Sequence, residues 1–268
     1  MLKIGALTYF HVDGAGNELV DIESFLHFAT RIGLDMVDIA LEKGFKGHSS
    51  ENLSRIKQLC VRYGLPIGYV TGGGGFVGTE EEIQERLARA KEAVRTAVFL
   101  GAPIVLLHGS GLKTESYWPR MIDAYKQMCD YAEGHGIVIG IHGHGPPKHP
   151  KSDEILNIRK DVGRDNTTII LDTAKWEGWR EGPAIEELYG YMEDVAPYAS
   201  HVRAKIFKID TGKEIWIDYE RVLKILKSVD YHGPLSIYWM GFRGRNQCTD
   251  QEGMAKAAQY LRDLVKTY

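Results

Sequence analysis

Residues 137–145 read IVIGIHGHG. Four β-branched apolar residues and one glycine run without a polar interruption, follow a His-Gly pair, and stop at a histidine. A continuous apolar run of this length, opened by glycine, is how a strand buried on both faces of a parallel sheet reads. The same pattern recurs at 66–71 (PIGYVT), 103–109 (PIVLLHG), 168–173 (TIILDT), 200–207 (SHVRAKIF) and 234–240 (PLSIYWM), each opened nearby by Gly or Pro or ended by an ionisable or polar residue. With 2–9 and 36–41 (MVDIAL), eight strands are predicted.

A helical pattern follows each strand, over 22–31, 50–63, 79–100, 117–133, 152–162, 183–195, 218–229 and 250–266. In the second of these, Leu53, Ile56, Leu59 and Cys60 recur at the spacing of a buried stripe. Thr79 with Glu82 forms a capping box, and Asp218 is an N-cap. The segment 207–217 (FKIDTGKEIWI) has a DTGK turn between short apolar runs and predicts a small β-hairpin. Strict strand–helix alternation without a linker predicts one (β/α)8 TIM barrel domain over residues 1–268, with the hairpin after strand seven. An open doubly wound sheet is the rival. It needs a GxGxxG turn after the first strand, and GAGNEL at 14–19 lacks the third glycine.

Length fits this architecture, since 268 residues is near the usual size of about 250 for such barrels. A net charge of −3 provides no basic face for a nucleic-acid backbone. Cys60, Cys129 and Cys248 are few, distant and without a CxxC, and support neither a disulfide framework nor a zinc site. No apolar run reaches the length of a membrane span, and MLKIGALTYF reads as a strand rather than a signal peptide. A cytoplasmic protein with a small-molecule substrate, no nucleic acid and no membrane is expected. The oligomeric state stays open, a homo-oligomer included.

In a barrel of this kind chemistry sits at the C-terminal rim of the strands, so residues at strand ends carry the argument. They are His108, His142 with His144, Asp172, Arg203 with Lys205, and Tyr238. His142 and His144 lie two apart, hence on one strand face, where they can ligate a cation or move protons. The plainer reading is a solvated loop, HGHGPPKHP. Asp172 closes an apolar run, where a carboxylate must be paired or coordinating, unless it caps a helix in DTAKW. Arg203 and Lys205 share a face and must meet negative charge, from Asp172 or from a substrate. His201 is read as facing the other way and structural. Tyr238 binds a hydroxyl or is a core tyrosine, and His108 orients substrate or is a core histidine. Trp176 and Trp179 suit the apolar face of a sugar ring. GGGG at 72–75 either cradles a phosphate or hinges a lid.

On the stretches FATRIGLDMVDIAL, LGAPIVLLHGS, GIVIGIHGHG, IILDT and HVRAK, the chain resembles the xylose isomerase-like barrel superfamily of sugar isomerases, epimerases and endonuclease IV-type proteins. The resemblance implies a divalent cation held by Glu, Asp, His and Glu at the ends of strands five to eight. Here the first glutamate position holds His142, the aspartate is kept as Asp172, the histidine is replaced by Arg203, and the last glutamate by Tyr238. His144, His201 and Lys205 match their neighbours in the pattern. The metal site is thus degenerate, and the metal ligands are unknown. In one reading His142, His144, Asp172 and His108 make a nitrogen-rich site for a divalent metal such as zinc. In the other, no metal is held, and Arg203 and Lys205 polarise a substrate carbonyl.

The resemblance implies a sugar isomerase- or epimerase-like enzyme transferring a proton next to a carbonyl of a small carbohydrate or sugar acid, by isomerisation, epimerisation or β-elimination. His142, His144, Asp172 and Arg203 would be catalytic, and His108, Trp176, Lys205 and Tyr238 would bind substrate. The alternative is a barrel without catalysis that binds a carbohydrate-like ligand or a partner subunit.

Overall fold

The computed structural model describes residues 2–8, 21–40, 48–109, 113, 115–143, 152–174, 183–241 and 245–268. Eight parallel strands follow in chain order and close into a barrel. Closure is made by Ile4 opposite Leu235 and Gly5 opposite Ser236, which removes the open sheet as an architecture. Packing divides the chain into two units: Met1–Gly68 with Asp172–Ala174 and Ser200–Tyr268, and Tyr69–Leu171 with Lys175–Ala199.

The first unit holds β1 (Ile4–Leu7), α1 (Ile22–Arg31), β2 (Met36–Ile39), α2 (Ser50–Tyr63), β7 (Ala199–Ile206), α7 (Tyr219–Ser228), β8 (Leu235–Trp239) and α8 (Asp250–Val265), with the start of β3 (Ile67–Thr71). Its helices begin where sequence chemistry places them. Asp218 Oδ1 accepts from the Glu220 and Arg221 amides, and Thr249 forms a capping box with Glu252. Such caps are worth about 1 kcal/mol each. The predicted stripe of α2 is buried at Leu53, Ile56, Leu59 and Cys60.

The second unit holds the rest of β3, then α3 (Glu80–Leu100), β4 (Ile104–Gly109), α4 (Trp118–Glu133), β5 (Val138–Gly143), α5 (Ser152–Val162), β6 (Thr167–Asp172) and α6 (Pro183–Val195). The Thr79–Glu82 capping box opens α3 as expected, and Gly101 closes it at φ 82°, a conformation a side chain would strain. β4 pairs with β5 along its whole length, Ile104 opposite Val138 through Gly109 opposite Gly143. The GGGG run extends β3 rather than opening a phosphate cradle at its first residues. The Gly72 amide donates to the Leu106 carbonyl, and the Gly73 carbonyl accepts from the His108 amide. A Cβ on Gly72 would stand 2.6 Å from Val105 Cγ1, so glycine lets this backbone pass.

The predicted hairpin at 207–217 carries no strands. The chain does turn at Gly212, and the Ile215 amide reaches the Lys208 carbonyl (3.2 Å). A buried carboxylate organises the rest: Glu214 Oε2 accepts from the amides of Phe207 (2.6 Å) and Lys208 (3.0 Å), and Oε1 from Trp216 (2.7 Å). These amides, which a hairpin would spend on a ladder, are spent on one side chain.

The connection after β8 is bound to this one. Asn246 accepts from the Ile209 amide and donates to the Phe207 carbonyl, while Lys208 Nζ donates to the Arg245 carbonyl. Asp210 Oδ1 accepts from the Gln247 and Cys248 amides. The Lys208 ammonium at 3.0 Å, with those amides, holds the Asp210 carboxyl down to about 2. Arg245 lies over the stacked rings of Phe207 and Trp216.

Burial pushes the Glu214 carboxyl up to about 7 from an ordinary 4.5, against the pull of its amide donors. A carboxyl raised in the folded state binds its proton more tightly there than in the unfolded chain. Its stabilising contribution is complete below about 4.5 and is lost as pH rises through about 7. Glu214→Gln is therefore expected to flatten this part of the stability profile, read as urea midpoints from pH 4.5 to 8. Equal slopes in both proteins would contradict it.

Candidate active site

Four expected residues meet in the first unit. Asp172, at the end of β6, lies between two cations of β7: Oδ2 is 2.9 Å from Lys205 Nζ, and Oδ1 is 3.4 Å from Arg203 Nε. All three are buried, at 2, 5 and 6% exposure, so the pairing is only weakly screened by solvent. Lys205 stands opposite Tyr238 across the β7–β8 ladder. The Tyr238 ring lies 4.3 Å from the Arg203 guanidinium carbon and 5.4 Å from Lys205 Nζ, a cation–π arrangement over both charges. Trp239 takes the opposite face, its indole N–H on Asp250 Oδ1 and its ring against Gly253 of α8. Tyr238 and Trp239 thus face opposite sides of β8.

The reading of His201 is corrected. Residues 201, 203 and 205 have one strand parity and therefore one face. His201 Nε2 lies 3.1 Å from Asp38 Oδ2 of β2, a strand that is not a neighbour of β7 in the ladder. Such a contact crosses the barrel interior. Ser236 of β8 donates to the same carboxylate oxygen. Asp38, His201 and Ser236 are all buried. Gly68 of β3 passes so close that a Cβ there would stand 2.5 Å from Asp38 Oδ1. His201 is structural, as expected, but it points inward.

In the second unit His108 and His142 are paired. They stand opposite each other at the ends of β4 and β5, and their Nδ1 atoms are 3.1 Å apart, with rings edge to face. At that separation one Nδ1 donates its N–H to the lone pair of the other, and the tautomers decide which. His142 is fully buried and His108 partly exposed. The His108 carbonyl accepts from Tyr125 (2.7 Å), whose ring packs edge-on against Phe76. Burial pushes the Tyr125 phenol well up, so it stays a donor. His144, Trp176 and Trp179 lie outside the described residues.

Cysteine chemistry is absent from both clusters. Cys60 and Cys129 are buried, and burial pushes both thiols up to about 12, which leaves no thiolate near neutrality.

The side chains present do not fit the divalent cation that the family pattern implies. The one retained ligand, Asp172, faces an ammonium with one oxygen and a guanidinium with the other. A dication placed on that carboxylate would be repelled by both. Among the described residues no three His, Cys, Asp or Glu side chains are grouped to hold a metal. Also among them, no helix is long and apolar enough to cross a membrane.

An eight-stranded closed parallel barrel with ionisable residues at its strand ends defines a (β/α)8 protein. The family model described as xylose isomerase-like TIM barrel matches residues 26–264, and the chain belongs to that family. No curated protein matches it in sequence. Among solved structures, a xylose isomerase domain protein from Planctomyces limnophilus is 20% identical, with TM-score 0.74 and coverage of 99% of this chain and 97% of that one. D-allulose 3-epimerase from Methylomonas sp. is 17% identical, with TM-score 0.70 and 98% coverage of each chain. D-psicose 3-epimerase from Clostridium cellulolyticum H10, solved with D-tagatose, is 13% identical, with TM-score 0.72 and coverage of 99% and 98%. At these identities the likeness is one of fold.

Thr173, Tyr219, Asp38, Ser236 and Glu214 were not singled out from the sequence. Asp38 carried a signal: it interrupts the apolar MVDIAL as Asp172 ends IILD. Tyr219 and Thr173 carried none, because a Tyr at a helix start and a Thr after a strand are common.

Proposed function

We propose that the chain is an enzyme that moves a proton at a carbon next to a carbonyl of a small carbohydrate or sugar acid, by isomerisation, epimerisation or β-elimination. The observation that carries this reading is the pair of cations, Arg203 and Lys205, held by Asp172 on an inner strand face beneath Tyr238. When a base takes the C–H proton, the electron pair moves onto the carbonyl oxygen. A guanidinium or ammonium set in place beforehand stabilises that oxygen without reorganising solvent. Positive side chains thus do the work that the family pattern gives to a cation.

Imidazole suits the proton-moving role near neutral pH, and the His108–His142 pair is assigned to it, with His142 as acid or base. His144 joins them by its place in the HxH. Asp172 keeps the cations oriented, and Tyr238 is assigned to a substrate hydroxyl. Trp176 is assigned to the sugar face. The similar folds include a D-allulose and a D-psicose 3-epimerase, which supports the substrate class.

Incubation with a panel of ketoses, aldoses and sugar acids in D2O tests this reading. Deuterium entering next to the carbonyl, undiminished by a chelator, is the expected result. Binding heat without exchange on any member of the panel would favour the second reading, a barrel that only binds. That reading draws on the replacement of ligand positions by His142, Arg203 and Tyr238.

A further inference from the structure

β6 ends at Asp172, one residue before the strand beside it needs its last partners. The Lys205 amide and carbonyl therefore lie past the end of that ladder, and side chains take them up. The Lys205 N–H donates to Thr173 Oγ1 (3.0 Å). Thr173 Oγ1 lies 3.0 Å from the Tyr219 hydroxyl. The Tyr219 hydroxyl donates to the Lys205 carbonyl (2.8 Å). A phenol has one proton, and that proton is spent on the carbonyl. In the Thr173–Tyr219 contact the threonine is then the donor, its proton shared between the phenol oxygen at 3.0 Å and the Arg203 carbonyl at 3.4 Å. The three bonds form a ring that leaves from the Lys205 amide and returns to the Lys205 carbonyl. Thr173 and Tyr219 are both fully buried, so water offers no substitute.

We propose that Thr173 and Tyr219 are positioning residues that set where Lys205 stands against Asp172. Fixing both the N–H and the C=O of one residue fixes the two backbone dihedrals between them, and with them the direction of its side chain. Thr173 is next in the chain to Asp172, and its own amide donates to the Arg203 carbonyl (3.1 Å). One residue thus ties the carboxylate's strand end to both cations, through its amide to Arg203 and through its hydroxyl to Lys205. Tyr219, the first residue of α7 after the Asp218 cap, ties the same point to the helix behind β7. The consequence for rate rests on the proposed function, whereas the positioning itself does not.

The test reads the Lys205 amine directly, without turnover. An ammonium held on a carboxylate acylates slowly, so the rate of Lys205 acetylation by acetic anhydride, followed by peptide mass spectrometry, reports the pairing. Labelling of the buried Cys129 thiol in the same samples reports general opening. Thr173→Val, which keeps the shape and removes the hydroxyl, is expected to raise Lys205 acetylation about tenfold, the worth of about one buried hydrogen bond. Cys129 labelling should not change, and Thr173→Ser should restore the wild-type rate. If Thr173→Val does not fold, Tyr219→Phe carries the same comparison with a smaller perturbation.

An unmoved Lys205 rate, or one that rises only in step with Cys129, overturns the proposal. The outcomes separate from those of the functional reading. Acetylation that responds while no sugar exchanges deuterium keeps the ring and removes the proposed reaction. Deuterium exchange lost in Arg203→Met with acetylation unmoved in Thr173→Val does the reverse.

Discussion

Arg203→Met is expected to lower turnover by about 10²- to 10³-fold, the effect of deleting one preorganised charge that meets a developing oxyanion. Methionine keeps much of the aliphatic length and removes the guanidinium. Asp172 keeps Lys205 at 2.9 Å, so the carboxylate is still paired and the barrel should fold. Circular dichroism and the urea midpoint give the control, and the initial rate of deuterium exchange gives the result. Unchanged exchange would remove Arg203 from the chemistry. Loss of exchange with a large fall in midpoint would make the residue structural instead.

Asp38→Ala is expected to cost about 2–5 kcal/mol of folding stability, from two buried donors left without their acceptor at about 1–3 kcal/mol each. The carboxylate oxygen, on β2, serves His201 of β7 and Ser236 of β8 together, from the other side of the β8–β1 closure. Without it a buried imidazole and a buried hydroxyl lose their acceptor at once, and a cavity opens beside Gly68. Chemical denaturation measures the loss. A change under 1 kcal/mol would mean that the cluster contributes little beyond filling space.

Much of the fold was legible because it rests on periodicity. Apolar runs such as IVIGI and IIL announce strands buried on both faces, and T-E-E-E with a following stripe announces a helix start. The hairpin failed for a physical reason. Turn chemistry at DTGK was read correctly, but the carboxylate of the next residue, Glu214, captured the amides that strands would have used.

The site was legible at strand ends and illegible across the barrel. Parity and charge offered Arg203 and Lys205 two partners, Asp172 or a substrate, and Asp172 lies between them. The His201 error was one of parity: residues 201, 203 and 205 share a face, and counting by twos would have turned it inward. Its partner Asp38, 163 positions away in the chain, could not have been found by spacing. The hydroxyls of Thr173 and Tyr219 act on backbone groups, and sequence patterns carry no trace of which carbonyl a side chain will find.

The interlocked connections after β7 and β8 have a practical consequence for anyone reshaping this protein. Asn246 and Asp210 each satisfy backbone groups of the opposite segment, so the two segments behave as one cassette. Transplanting either alone from a related barrel would strand amides and carbonyls on the piece left behind. Exchanging the two segments together moves both partners of each of these bonds at once.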